Sequence, residues 1–140
     1  MHKAIEIVSE RNSILRQRVR IEGFEDLFVD VPKAYGGEGT APDPHDYFDL
    51  SLGACKAITA QMYAQRKQWP LEGVSVRVNR DDSEERKGTY RLEVVMTFHG
   101  IEDEVQRARL EEISHKCPIH RLMTSATVEV TTRTALVAEA

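Results

Sequence analysis

HDYFDLSLGACKAITAQMYAQRK, residues His45–Lys67, is the stretch that decides the fold. It contains no proline and a single glycine, Gly53. Its apolar residues Tyr47, Phe48, Leu50, Leu52, Ala54, Cys55, Ile58, Ala60, Met62 and Tyr63 nearly encircle a helix, which predicts a helix buried on more than one side. The basic end, Arg66-Lys67, suits the negative end of the helix dipole, and Pro70 forbids continuation, so the helix should stop near Gln68.

Upstream of this helix, Pro32, Gly36, Gly37, Gly39, Pro42 and Pro44 mark a loop. Before that loop the pattern is that of strands. Ala4–Val8 is short and β-branched, Leu15–Ile21 interleaves Leu15, Val19 and Ile21 with Arg16, Arg18 and Arg20, and Leu27–Val31 returns after a turn at Gly23. Downstream, Val74, Val76 and Val78 alternate with polar residues, Asp81–Gly88 is a charged connection, and Tyr90–His99 alternates again through Leu92, Val94, Met96 and Phe98. Asp103–Lys116 carries Val105, Leu110 and Ile113 at helical spacing behind the acidic start Glu102-Asp103-Glu104, and Pro118 is expected to stop that helix just after Cys117. Ala126–Arg133 alternates Val128 and Val130 with polar residues and reads as a closing strand. The predicted class is α+β, in one domain spanning residues 1–140.

Composition narrows the function. The chain has 140 residues, 41% of them hydrophobic, enough for one core. Its formal charge of -4 has the wrong sign for a phosphate-backbone binder, so no nucleic-acid partner is expected. Its apolar runs fall short of the roughly 20 residues of a membrane span, and the start Met1-His2-Lys3-Ala4 lacks a signal-peptide layout, which together predict a cytoplasmic protein off the membrane. The two cysteines, Cys55 and Cys117, show no metal-ligand spacing with each other or with the histidines, so neither a metal nor another cofactor is expected. Two thiols in a reducing compartment are buried core residues or chemistry. A reactive thiol needs a positive charge or a hydrogen-bond donor at the sulfur. Lys56 is adjacent to Cys55, but neighbours on a helix point about 100° apart. The arginines at 16, 18 and 20 are better sited on a facing strand, Arg18 first among them.

Several fragments in order carry a resemblance: Asp30-Val31-Pro32, the Gly36-Gly37 loop, Pro44 and Phe48 leading to Leu52-Gly53-Ala54-Cys55, the run from Met62 to Val74 through Trp69-Pro70-Leu71, and Lys116-Cys117-Pro118-Ile119-His120-Arg121. Together they resemble the OsmC/Ohr family of osmotically inducible and organic-hydroperoxide-resistance proteins, and the wording around both cysteines is similar to its OsmC-like branch. The resemblance implies an OsmC-like fold, with antiparallel sheets wrapping two long central helices in an intertwined homodimer. It also implies a thiol-dependent peroxidase. Cys55 would attack an organic hydroperoxide and become a sulfenic acid, Cys117 would resolve it as a disulfide, and a lipoyl-type dithiol would restore both thiols. The competing reading is a non-catalytic relative that binds a small apolar or sulfur-containing ligand near Cys55. The chain departs from the peroxidase branches at His45, where a glutamate usually holds an arginine against the sulfur; Asp46 or Asp49 is expected to take that part, with Arg18 as the arginine.

Overall fold

The computed structural model describes residues 3–139. Helix α1 runs over Pro44–Lys67, within one residue of the predicted start. Proline at the first helical position gives up no hydrogen bond and comes with the right φ. Ahead of it Asp43 and Asp46 cap each other: Asp43 Oδ1 accepts from the Asp46 amide at 2.8 Å and Asp46 Oδ2 from the Asp43 amide at 3.0 Å. The helix ends where Gln68 turns left-handed, at φ 57°, and the Trp69 amide reaches back to the Ala64 carbonyl at 3.0 Å.

Burial divides α1 differently from the expectation. Asp49, Leu52, Lys56, Ala60 and Ala64 recur every three or four residues and form one buried face. Phe48, Leu50, Ile58 and Met62 are exposed in the single chain. The helix therefore has one buried face here, not an apolar girdle closed by its own chain.

The strands β1 (Ile5–Ser9), β2 (Gln17–Ile21) and β3 (Leu27–Val29) form an antiparallel sheet in the order β1-β2-β3. Its register pairs Ile5 with Ile21 and Gln17 with Val29, and it buries Val19. Strands β4 (Gly73–Asp81) and β5 (Arg91–His99) pair in a second sheet, and the predicted alternation is present: Leu92, Val94, Met96 and Phe98 are half-buried while their neighbours are exposed.

Three C-terminal expectations are corrected. Helix α2 covers Glu104–Ser114 and stops short of Lys116. Asp103 starts it by accepting from the amides of Val105 and Gln106 at 2.8 and 3.0 Å. Pro118 does not merely end a helix but begins one, α3 (Pro118–Thr124), so Cys117 is the cap of a following helix instead of the end of the preceding one. Residues 126–133 form no strand among the described residues, because a strand needs a ladder and none is offered to them within the chain. Among the described residues there is thus one long α-helix, with two shorter α-helices after it.

The chain packs as two compact units, Met1–Ala54 with Val76–Val95, and Cys55–Ser75 with Met96–Ala140. In the first, Gly53 lets α1 approach β4 closely: a Cβ there would lie 2.8 Å from Val78 Cγ2. The same unit buries Asp30, whose carboxylate accepts from the Val31 amide at 2.7 Å and from the Thr40 amide and hydroxyl at 2.9 and 2.6 Å, pinning the glycine-rich loop. These bonds from Thr40 and Val31 hold the Asp30 carboxyl down at about 2. In the second unit Ala60, Ala64, Ile101 and Leu110 are buried together, flanked by Tyr63, Trp69, Leu71, Val74, Met96 and Phe98. Tyr63 and Trp69 meet edge to face at 5.5 Å.

Candidate thiol site

The second unit brings together both cysteines. Cys55 lies on α1 and is half-buried, Cys117 caps α3 and is fully buried, and both are free thiols. The two lie near enough for Cys55 to influence the Cys117 thiol. The capping geometry gives the Cys117 sulfur a donor: the His120 amide points at Sγ from 3.3 Å. Burial pushes the Cys117 thiol up, and Cys55 pushes the same way; the His120 amide and the Lys56 ammonium pull it down, and the net shift is upward. Cys117 is thus held protonated in the interior, and Cys55 is the less buried residue of the two.

Lys56 sits in the same cluster. It is 4% exposed, and its Nζ donates to the Ser114 carbonyl at 2.9 Å and to His120 Nδ1 at 3.0 Å. A nitrogen that accepts carries no proton, so this bond places the His120 proton on Nε2. Burial first, then Lys56 and His115, lower the His120 pKa, so its ring is neutral at neutral pH. Reading Lys56 only against its neighbour Cys55 misses this role. The signal was present in the spacing, because Leu52, Lys56, Ala60 and Ala64 share one face four residues apart, and a lysine on a core face has to find partners inside.

The other predicted residues lie in the first unit. Arg18 on β2 is held by Glu10 Oε2 at 3.2 Å and Asp26 Oδ2 at 3.1 Å, with its guanidinium 5.4 Å from the Phe28 ring centre. Asp46 and Asp49 do not hold Arg18, contrary to expectation. They hold Arg80 of β4, whose Nε meets Asp49 Oδ2 at 2.6 Å and whose Nη2 meets Asp46 Oδ1 at 2.8 Å. Tyr90 donates its hydroxyl to the other Asp49 oxygen at 2.6 Å, and its phenol is pushed up to about 12 by burial and by that bond. His45 pairs with Glu85 at 2.8 Å, which raises its pKa. His45, Glu85, Pro44, Phe48 and Tyr90 line an open cavity of about 360 Å³. Among the described residues no three of His, Cys, Asp and Glu cluster so as to hold a metal ion, and no helix is long and apolar enough to cross a membrane.

Comparison with known proteins bears on this arrangement. The family described as OsmC-like protein matches residues 37–133. No curated protein matches the chain. Among solved structures, an OsmC-like protein from Mycoplasma pneumoniae is similar at 18% identity over 89% of each chain, with a TM-score of 0.70. An organic hydroperoxide resistance protein OsmC from Legionella pneumophila is similar at 21% identity, covering 89% of this chain and 90% of its own, with a TM-score of 0.64. A third, an organic hydroperoxide resistance protein from Elizabethkingia anophelis, is 20% identical over 89% of each chain, with a TM-score of 0.65. At these identities the likeness establishes an α+β fold of the same kind.

Proposed function

Since the chain belongs to the OsmC-like protein family, we propose that it is a thiol-dependent peroxidase for organic hydroperoxides. The observation that carries this reading is the presence in one unit of two free cysteines, one half-buried and one buried, near enough for Cys55 to influence the Cys117 thiol. Cys55, as thiolate, attacks the distal oxygen of the hydroperoxide. The O–O bond breaks, the alkoxide leaves and is protonated to the alcohol, and Cys55 becomes a sulfenic acid. Cys117 then attacks the Cys55 sulfur, water leaves, and a disulfide joins the two. A dithiol of the lipoyl type returns both thiols by exchange. Organic over inorganic peroxide suits the apolar neighbours Leu52, Ile58 and Met62 on the same helix.

Arg18 is our candidate for the cation that ionises Cys55, on sequence likeness. We read residues 1–140 as one domain of the family, working as an intertwined homodimer in the cytoplasm. The apolar side chains that α1 leaves exposed, Leu50, Ile58 and Met62, support the dimer, since a partner chain would cover them. Light scattering tests it.

The mechanism is tested by mass spectrometry after one equivalent of organic hydroperoxide. Cys55→Ser should not react, whereas Cys117→Ser should accumulate one sulfenic acid and then stop. Equal turnover in Cys55→Ser and the unaltered protein would overturn the mechanism, and unreacted thiols throughout would favour a ligand-binding role.

A further inference from the structure

We propose that Lys56 is a positioning residue for the second thiol: its buried ammonium fastens the end of α2 to α3 and sets beside Cys117 the positive charge that this sulfur needs when it loses its proton. A buried ammonium is costly unless anions or good acceptors surround it. The partners of Lys56 are the Ser114 carbonyl and His120 Nδ1, both neutral, and among the described residues no carboxylate pairs with it. Two hydrogens of the ammonium are taken, and a third is free for an anion. The acid that feels its charge is a thiol, Cys117, while Cys55 is its neighbour in sequence on α1. The other titratable groups at hand are His120 and His115, whose rings meet at 6.0 Å. His120 is kept neutral and brings no charge of its own. A buried cation that has no carboxylate partner and whose charge reaches a buried thiol is matched to a thiolate.

The bond from Nζ to His120 has a second effect. His120 is the residue whose amide donates to Cys117 Sγ, so Lys56 holds the donor as well as the charge. In the resolving step, which rests on the peroxidase reading, Cys117 loses its proton. The thiolate attacks Cys55 Sγ, the S–O bond of the sulfenic acid breaks, and the departing hydroxide recombines with that proton as water.

The test titrates Cys117 in a Cys55→Ser background by its Cβ carbon shift, which needs no reagent to enter the core. Lys56→Met removes charge and hydrogen bonds; Lys56→Gln keeps a donor without the charge. Both should raise the Cys117 midpoint by about one pH unit, a tenfold loss of thiolate near neutrality. An unchanged midpoint in Lys56→Met overturns the proposal, as does full restoration by Lys56→Gln, which would reduce Lys56 to a strut. Should either variant fail to fold, nitrogen shifts of His120 in the unaltered protein decide: Nε2 protonated and Nδ1 bare support the arrangement, and a protonated Nδ1 at neutral pH overturns it. Failure of the unaltered protein to consume hydroperoxide would defeat the peroxidase reading and leave these titrations untouched.

Discussion

Replacing Asp49 by alanine removes one carboxylate that serves two donors at once. Its Oδ2 takes Arg80 Nε and its Oδ1 takes the Tyr90 hydroxyl, both at 2.6 Å, and its side chain is only 9% exposed. Hydrogen bonds to a charged acceptor contribute about 1.5–3 kcal/mol each. Deleting one partner of a buried ion pair costs roughly 3–5 kcal/mol. Arg80 keeps its second bond, to Asp46, but that carboxylate is half exposed and such a pair contributes no more than about 1 kcal/mol. The expected loss for Asp49→Ala is therefore at the lower end, about 3 kcal/mol, read by urea unfolding. Tyr90→Phe, which leaves Asp49 with Arg80, should cost about 1.5 kcal/mol. The double variant should lose less than the sum, because the second change deletes a donor whose acceptor is already gone. The Tyr90 phenol gives an independent reading. Burial and Asp49 together raise it to about 12 while Arg80 pulls the other way, so in Asp49→Ala the midpoint should fall. A loss below about 1 kcal/mol would mean that the pair behaves as a surface ion pair, and the reasoning would be wrong.

Three further outcomes are expected. Gly37→Ala places a Cβ 2.0 Å from the Val31 carbonyl oxygen and 2.7 Å from its carbon, where only backbone could yield, so thermal unfolding should show a loss at the upper end of about 1–3 kcal/mol; an unchanged midpoint would contradict the packing. Leu110→Ala opens a hole beside Ala60 and Ala64, which are too small to fill it, and should cost roughly 2–5 kcal/mol by the same measurement. Asp30 titrates at about 2 in the folded chain against an ordinary 3.8, so its stabilisation is complete above pH 3.8 and is lost as pH falls towards 2; Asp30→Asn should flatten that part of the stability curve, and an unaltered acid limb would refute the assignment.

What was legible in the sequence was local. Helix α1 could be read nearly to the residue because the proline- and glycine-rich loop before it runs out at Pro44 and Pro70 forbids continuation, and β5 because its alternation leaves only one face for a core. What escaped depended on partners. Pro118 reads equally as the end of one helix and the start of another, and only the six residues that follow decide between them. Residues 126–133 carry the alternation of a strand, but pattern supplies no neighbour to bond with. At the candidate site the cysteines stood out by type, whereas weighing Lys56 only as the sequence neighbour of Cys55 leaves its place on the buried face uncounted. The pairing of Asp46 and Asp49 with Arg80 instead of Arg18 joins residues far apart in the chain, and charge alone cannot choose between arginines.

The cap of α3 is an atom whose chemistry can change. Aspartate or serine at that position would hold the first turn under all conditions, but a cysteine holds it only while its sulfur can accept from the His120 amide. A thiolate accepts better than a thiol, and a sulfur tied up by alkylation or in a disulfide accepts worse. The integrity of the first turn of α3 is therefore written into the oxidation state of one residue, and the susceptibility of Pro118–Thr124 to amide exchange or protease reports on that state without any measurement of turnover.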